Sequence, residues 1–187
     1  MSVFVCAGVL FLLIFATAQQ TQRAPEVYTG KIMALSGLLT GKPTDLSVVI
    51  GRVSTTEELG KYEDILSKPD GQTTLADTIG NGYDIGAYRI GTELALAVKI
   101  ITIRETEKGR QIFLVGGRIP QGLEHQGKFT PRDYRFTVIR LTVNAKGDGE
   151  GSYVPSAKLR FNKEHILEIE DYQTQPADVK NVHAVRR

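Results

Sequence analysis

The chain has no tryptophan and one cysteine, Cys6. Cys6 lies in an uncharged N-terminal segment, so everything after that segment lacks a thiol. This excludes a disulfide framework, a thiolate nucleophile and a thiolate metal site from the body, whose stability must come from its core. An excess of one charge is also missing. Lys and Arg total 23 against 21 Asp and Glu, a net charge of +2, and the basic residues are scattered among acidic ones. Such a balance gives no electrostatic footprint for nucleic acid. Histidine is scarce as well: His125, His165 and His183 are about 40 and 18 residues apart, with no close-spaced pair to start a zinc site. There is no G-x-S-x-G elbow, H-E-x-x-H pair or glycine-rich phosphate loop, and no cofactor is implied.

Long apolar runs are absent except at the start. Residues 1–18, MSVFVCAGVLFLLIFATA, carry no charge and hold an apolar stretch from Val3 to Phe15. Ala16-Thr17-Ala18 then fits a small-x-small cleavage pattern, which predicts a signal peptide over 1–18 and export to the periplasm or the exterior. The apolar stretch is well short of the roughly 20 residues that span a bilayer, so no membrane span is expected once it is removed. Residues 19–26 form a polar, flexible lead-in. Residues 27–187 are expected to form a single sheet-rich domain, since the roughly 170 residues that follow the signal suit one core.

The body reads as strands. Tyr28, Ile32 and Ala34, then Leu46, Val48 and Ile50, form two apolar runs separated by Gly37, Gly41 and Pro43. The period then changes. Ser54-Thr55-Thr56-Glu57-Glu58 offers two overlapping capping boxes, and Leu59, Tyr62, Ile65 and Leu66 mark one face of a helix over 56–67. A shorter helical turn is expected over 74–79. Strands follow at 83–90, at 93–104, which is apolar on both faces, and at 111–115. A loop with Pro120, Gly122, Gly127 and Pro131 fills 118–133. Loops this long often bind or cover something.

From Tyr134 onward the chain predicts four antiparallel strands. In the first, the apolar phase changes near Val138, implying a bulge or burial on both faces. Asn144 to Gly151 is a glycine-rich hairpin tip; Asn144, Asp148 and Glu150 also have a calcium-loop spacing, but Lys146 stands where an oxygen ligand is needed. Pro155 places the next strand at an edge or at a bulge. The fold class is therefore α+β: a mainly antiparallel sheet, sandwich or incomplete barrel, with one packed helix.

Several segments also resemble a family of exported, uncharacterised bacterial proteins found notably in acidobacteria. They are GYDI…YRI, the Gly116-Gly117-Arg118 hairpin end, DYRFTVIRLTVNAKGDGEG and ILEIEDYQTQPADVKNV, covering roughly 47–182. The chain has Arg135 where that family has proline, and no tryptophan near Leu123 in the long loop. The resemblance implies export and one architecture. It transfers no activity and no catalytic residue.

Function is expected to be non-catalytic binding of a small amphipathic or anionic ligand, or of a protein partner. The candidate ligand-binding residues are Arg140, Tyr134, Arg118, Tyr88 and Arg89, because tyrosine and arginine at strand ends give large amphipathic contact at low ordering cost. Arg140 lies within a strand, so it must be paired in the sheet or turned to a cavity. Phe136 and Phe161 would supply the apolar wall. The alternative is a hydrolase using a His/carboxylate pair, drawn from His125, His165 and His183 with Glu124, Asp133, Glu168 or Asp171. Neither metal nor nucleic acid is an expected partner, and oligomeric state is open.

The N-terminal reading has a direct check. Intact-mass measurement on protein recovered outside the cytoplasm is expected to show a chain starting at Gln19; a full-length N-terminus there would refute cleavage.

Overall fold

The computed structural model describes residues 24–33, 42–118, 133–173 and 175–185. The expected signal peptide, most of the lead-in, nearly all of the 118–133 loop with His125 and Glu124, and Arg186-Arg187 lie outside the described residues. The elements are β1 (Glu26–Met33), β2 (Thr44–Ile50), α1 (Thr56–Leu66), α2 (Gly71–Gly80), β3 (Gly86–Ile90), β4 (Leu96–Thr106), β5 (Gly109–Gly117), β6 (Phe136–Val143), β7 (Gly149–Phe161), β8 (Leu167–Tyr172) and β9 (Ala177–Ala184).

All strand pairs are antiparallel, and each strand from β1 to β7 pairs with the next along the chain, β2 with β3 across the intervening helices included. β9 then bridges β7 and β1, so the sheet closes. The result is an eight-stranded antiparallel barrel with β8 as a ninth strand outside the ring. The mainly antiparallel fold matches the sequence; the sandwich or incomplete barrel does not, because closure depends on β9 reaching β1. No helix of the described residues is long and apolar enough to cross a membrane.

Alternation sorts the side chains into two cores. Tyr28, Val48, Ile101, Leu114, Ile139 and Val179 belong to the barrel interior. Leu75, Ile79, Ile100, Phe136, Val138 and Leu159 belong to an outer core between the wall and the helices. β4 and β6 serve both, which explains their nearly continuous apolar character. Ile100 and Ile101 face opposite cores, as do Val138 and Ile139.

The strand β7 changes partners midway. Gly149 to Tyr153 pair with β9, and Ala157 to Phe161 pair with β8 on the same edge. Pro155 sits at this junction, inside the bulge where the β6 register shifts between Phe136 and Val138. Of the two positions open to this proline, the structure takes the bulge: β7 is an interior strand. The missing N–H falls where the ladder is interrupted, and the Pro155 carbonyl accepts from Thr137 Oγ1 at 3.2 Å.

Past Ala157, β6 has ended and β7 would expose a bare edge. Gln72 of α2 fills it: its Nε2 donates to Leu159 O at 2.6 Å and its Oε1 accepts from Leu159 N at 3.0 Å. One buried amide thus replaces a strand. This also revises the weight of the helices. No residue of α1 is fully buried, whereas α2 buries Gln72, Leu75 and Ile79. α1 reads more clearly in sequence because its outward face is polar, and it packs on the outer core through the half-buried Leu59, Tyr62, Ile65 and Leu66; α2 adds the fully buried side chains. Gly71 permits the tight corner between them, since a Cβ there would lie 2.6 Å from Ile65 O.

Substituting Gln72→Leu keeps the volume but strands both Leu159 groups in a dry site. The expected loss is about 2 kcal/mol, read as a lower urea midpoint with unchanged slope. A midpoint equal to wild type would show that the amide does not cap the edge.

Candidate functional site

The barrel has two mouths. One gathers the starts of β1, β3 and β5 with the ends of β2 and β4; the other carries the β3–β4 turn and the ends of the 118–133 loop. The segment from Gly51 to Thr55 straps the first mouth. Ile85 O accepts from Gly51 N and Arg52 N at 2.9 and 3.0 Å. Ser54, buried, then pairs with β4: its N donates to Ile101 O and its Oγ accepts from Ile101 N, at 2.9 and 3.1 Å. Ser54 therefore serves the sheet, and of the two overlapping capping boxes the one that forms is Thr55 with Glu58.

Between this strap, the start of β1 and the start of β3 lies an open groove of about 1030 Å³. Its apolar lining includes Pro25, Val49, Ile50, Val53, Ile85 and Ala87, and its polar lining includes Glu26, Arg52, Asp84 and Arg110. Val53 is 42% exposed and the neighbouring Tyr83 92% exposed, so apolar surface faces solvent at the rim.

Arg110 and Glu26 continue the inward phases of Ile112–Leu114 and Tyr28–Ile32 to the point where each strand reaches the mouth. There the guanidinium and carboxylate meet in a fork, Nη1 to Oε2 at 2.5 Å and Nη2 to Oε1 at 3.1 Å. The Tyr28 hydroxyl donates to Glu26 Oε2 and accepts from Arg110 Nη1, both at 3.1 Å. Burial raises the Tyr28 phenol above its ordinary value, with Arg110 opposing and Glu26 adding. The bond to Glu26 raises the Arg110 guanidinium further, so Arg110 stays charged. This cluster was missed from sequence. The available signal was a charged residue prolonging an apolar strand phase.

The other rim charges are also engaged. Lys99 Nζ reaches Asp84 Oδ1 and Gly82 O, both at 2.7 Å, tying β4 to the end of α2. Arg52 grips Glu58 at 2.7 and 2.8 Å, and Thr55 N donates to the same carboxylate at 2.8 Å. The Arg52 bonds, aided by Thr55 and opposed by burial, bring Glu58 down to about 2.

The five residues singled out from sequence do not converge. Arg140 is exposed on the outer wall, opposite Phe113 and Ser152, and Arg89 is exposed on β3. The alternation that buries Ile139 and Leu141 turns Arg140 outward, so it is neither paired in the sheet nor in a cavity. Phe136 and Phe161, its expected neighbours, belong to the core under the helices. Tyr134, at the surface, donates to Asp171 Oδ2 at 2.6 Å. Arg118 donates to the buried Ser156 Oγ at 2.6 Å, near the second mouth. Tyr88 points into the barrel, where burial pushes its phenol up to about 12, although Thr137 pulls the other way. Its hydroxyl makes no hydrogen bond of good geometry. Tyr153, also in the interior core, is raised by burial and then by Tyr88.

Two histidines meet carboxylates on the surface, His165 Nδ1 with Glu63 and His183 Nδ1 with Asp148, each at 2.8 Å. They fasten the β7–β8 turn to α1 and β9 to the β6–β7 turn. In that last turn Asn144 Oδ1 accepts from Lys146 N and Asp148 N, and Glu150 takes Lys180. The three oxygen-bearing residues with calcium-loop spacing are thus engaged by the chain itself. Among the described residues no three His, Cys, Asp or Glu side chains group around a metal-sized space.

The Glu58 shift predicts a pH dependence. Its folded pKa lies below the unfolded value near 4.5, so its stabilisation is complete above about pH 5 and vanishes as pH falls through about 2. Partial exposure of both partners limits it to about 1 kcal/mol. Glu58→Gln is therefore expected to lower stability at pH 7 and to converge with wild type near pH 2 in denaturant titrations; a constant difference across that range would refute the assignment.

With the geometry in hand, likeness to known proteins adds nothing to it: no protein-family model, curated protein or solved structure matches the chain.

Proposed function

We propose that this protein is exported and acts without catalysis, binding a small amphipathic molecule in the groove at the first mouth of the barrel. The observation that carries the reading is the groove itself, about 1030 Å³ with an apolar floor and an ionic rim. Ligand sites in proteins are concave, mostly apolar and marked by a few fixed polar groups. In a barrel of eight strands, interior side chains can fill the lumen, which leaves the mouth for a ligand. Side chains such as Tyr28, Ile101, Leu114 and Tyr153 occupy the interior here. A third interior tyrosine, Tyr88, adds to that filling.

The rim favours binding over proton transfer. Glu26 and Asp84 each face a cation, Arg110 and Lys99, an arrangement suited to orienting a charged group. A hydrolase built on His165 or His183 would need a hydroxyl beside the imidazole, and the bonds to Glu63 and Asp148 serve instead to join elements. The export part of the proposal rests on the uncharged apolar N-terminal segment and its Ala16-Thr17-Ala18 end.

Titration with the amphipathic anion anilinonaphthalene sulfonate tests the site. Wild type is expected to show one saturable site, and Val53→Asp and Ala87→Trp to weaken it by about tenfold, the worth of one buried valine side chain. Val53 is exposed and Ala87 half-buried, so both variants should keep the native circular dichroism. Absence of saturable binding in wild type, or unchanged affinity in both folded variants, would overturn the groove as the site.

A further inference from the structure

We infer that Arg110 and Tyr28 form a carboxylate-binding site that Glu26 occupies from within the chain, and that the groove's ligand is an apolar monocarboxylate whose headgroup takes the place of Glu26. The inference rests on the groove being the binding site and specifies what that groove recognises.

The two sides of the cluster are anchored differently. Tyr28 is 4% exposed and its backbone is paired on both sides, with Val48 of β2 and Ala184 of β9. Arg110 sits in the ladder between Glu105 of β4 and Val143 of β6. The donors are therefore built into the wall. Glu26 is the first residue of β1, next to Pro25, which is exposed and has no N–H to donate. Its side chain can rotate out while its backbone stays paired with Ile50.

The donor set matches a carboxylate closely. The guanidinium presents two parallel N–H groups to two oxygens, and the phenol adds a third contact to one of them. A fork of this kind selects carboxylate geometry, and partial removal from water strengthens it. Arg110 and Glu26 side chains are 24% and 27% exposed, so the pair is sheltered but still reachable from the groove that both line.

The remaining side of the guanidinium limits the charge. Glu105 Oε1 lies 4.0 Å from Arg110 Nε, leaving the Nη edge for one carboxylate. A second negative charge on the ligand at this guanidinium would meet Glu105. An apolar body attached to a single carboxylate would extend over Val53, Ile85 and Ala87, the same floor that motivates the groove reading.

The Arg52–Glu58 fork shows the contrasting case. Glu58 is held by Arg52 and also by Thr55 N within the helix cap, so replacing it would undo the start of α1. Glu26 belongs to no helix cap, and its displacement exchanges one carboxylate for another at the same donors.

Calorimetric titration of the mature chain with decanoate and with decanol separates headgroup from tail. Wild type should bind both weakly. Glu26→Ala should bind decanoate about tenfold more tightly, the gain from removing a resident competitor that fills the site nine-tenths of the time, with decanol unchanged. Arg110→Gln should abolish any preference for decanoate over decanol. Should Glu26→Ala not fold, Glu26→Gln should give a smaller gain in the same direction. Equal affinity for decanoate in wild type and the folded Glu26 variants, with decanol still binding, would overturn the carboxylate site and leave the groove standing. Failure of both probes to bind every folded variant would remove the groove as well.

Discussion

Closure of the sheet is the constraint on which the rest of this structure depends. An open sheet of this many strands would present two bare edges, and a barrel removes them by pairing the last strand with the first. Here β9 joins β1 along Tyr28 to Met33. The ring also fixes inside and outside for every strand, so one face of each must be apolar. The second face is apolar where α1, α2 and β8 lie against it.

The strand β7 is the exception to full closure, and its local chemistry follows from that. It is longer than the ring requires, and its last residues leave β6 behind. Three devices handle the departure: a bulge holding Pro155, a hairpin with β8, and the Gln72 amide on Leu159. Each satisfies backbone groups that the ring no longer reaches. The helices are positioned by this need as much as by apolar contact, which explains why α2 buries a glutamine beside Leu75 and Ile79.

Local structure was legible because it is written in short range. The helix over 56–67, the phase change at Val138, the turn at Asn144 and the choice offered by Pro155 all reflect neighbours within a few residues. Closure was not, since β1 and β9 stand at opposite ends of the chain and neither strand carries a mark of the other. The site was hidden for the same reason: Glu26 and Arg110 are 84 residues apart. Choosing arginines and tyrosines by type and by nearness to a long loop put Arg140, Arg89 and Tyr134 on outer surfaces. The same choice put Tyr88 in the interior and Arg118 on Ser156.

Phase would have separated these residues better than type. Arg140 follows Ile139 and precedes Leu141, so in a half-buried strand it must point away from the core they share. Arg110 stands two residues before Ile112 and four before Leu114, and Glu26 two before Tyr28, so each is aimed inward. An inward-directed charge is tolerated only where the strand reaches the mouth and where an opposite charge meets it. Two such residues from distant strands, both at strand starts, therefore belong at one mouth of the barrel, and they bring a polar pair to a groove where an apolar lining opens to solvent.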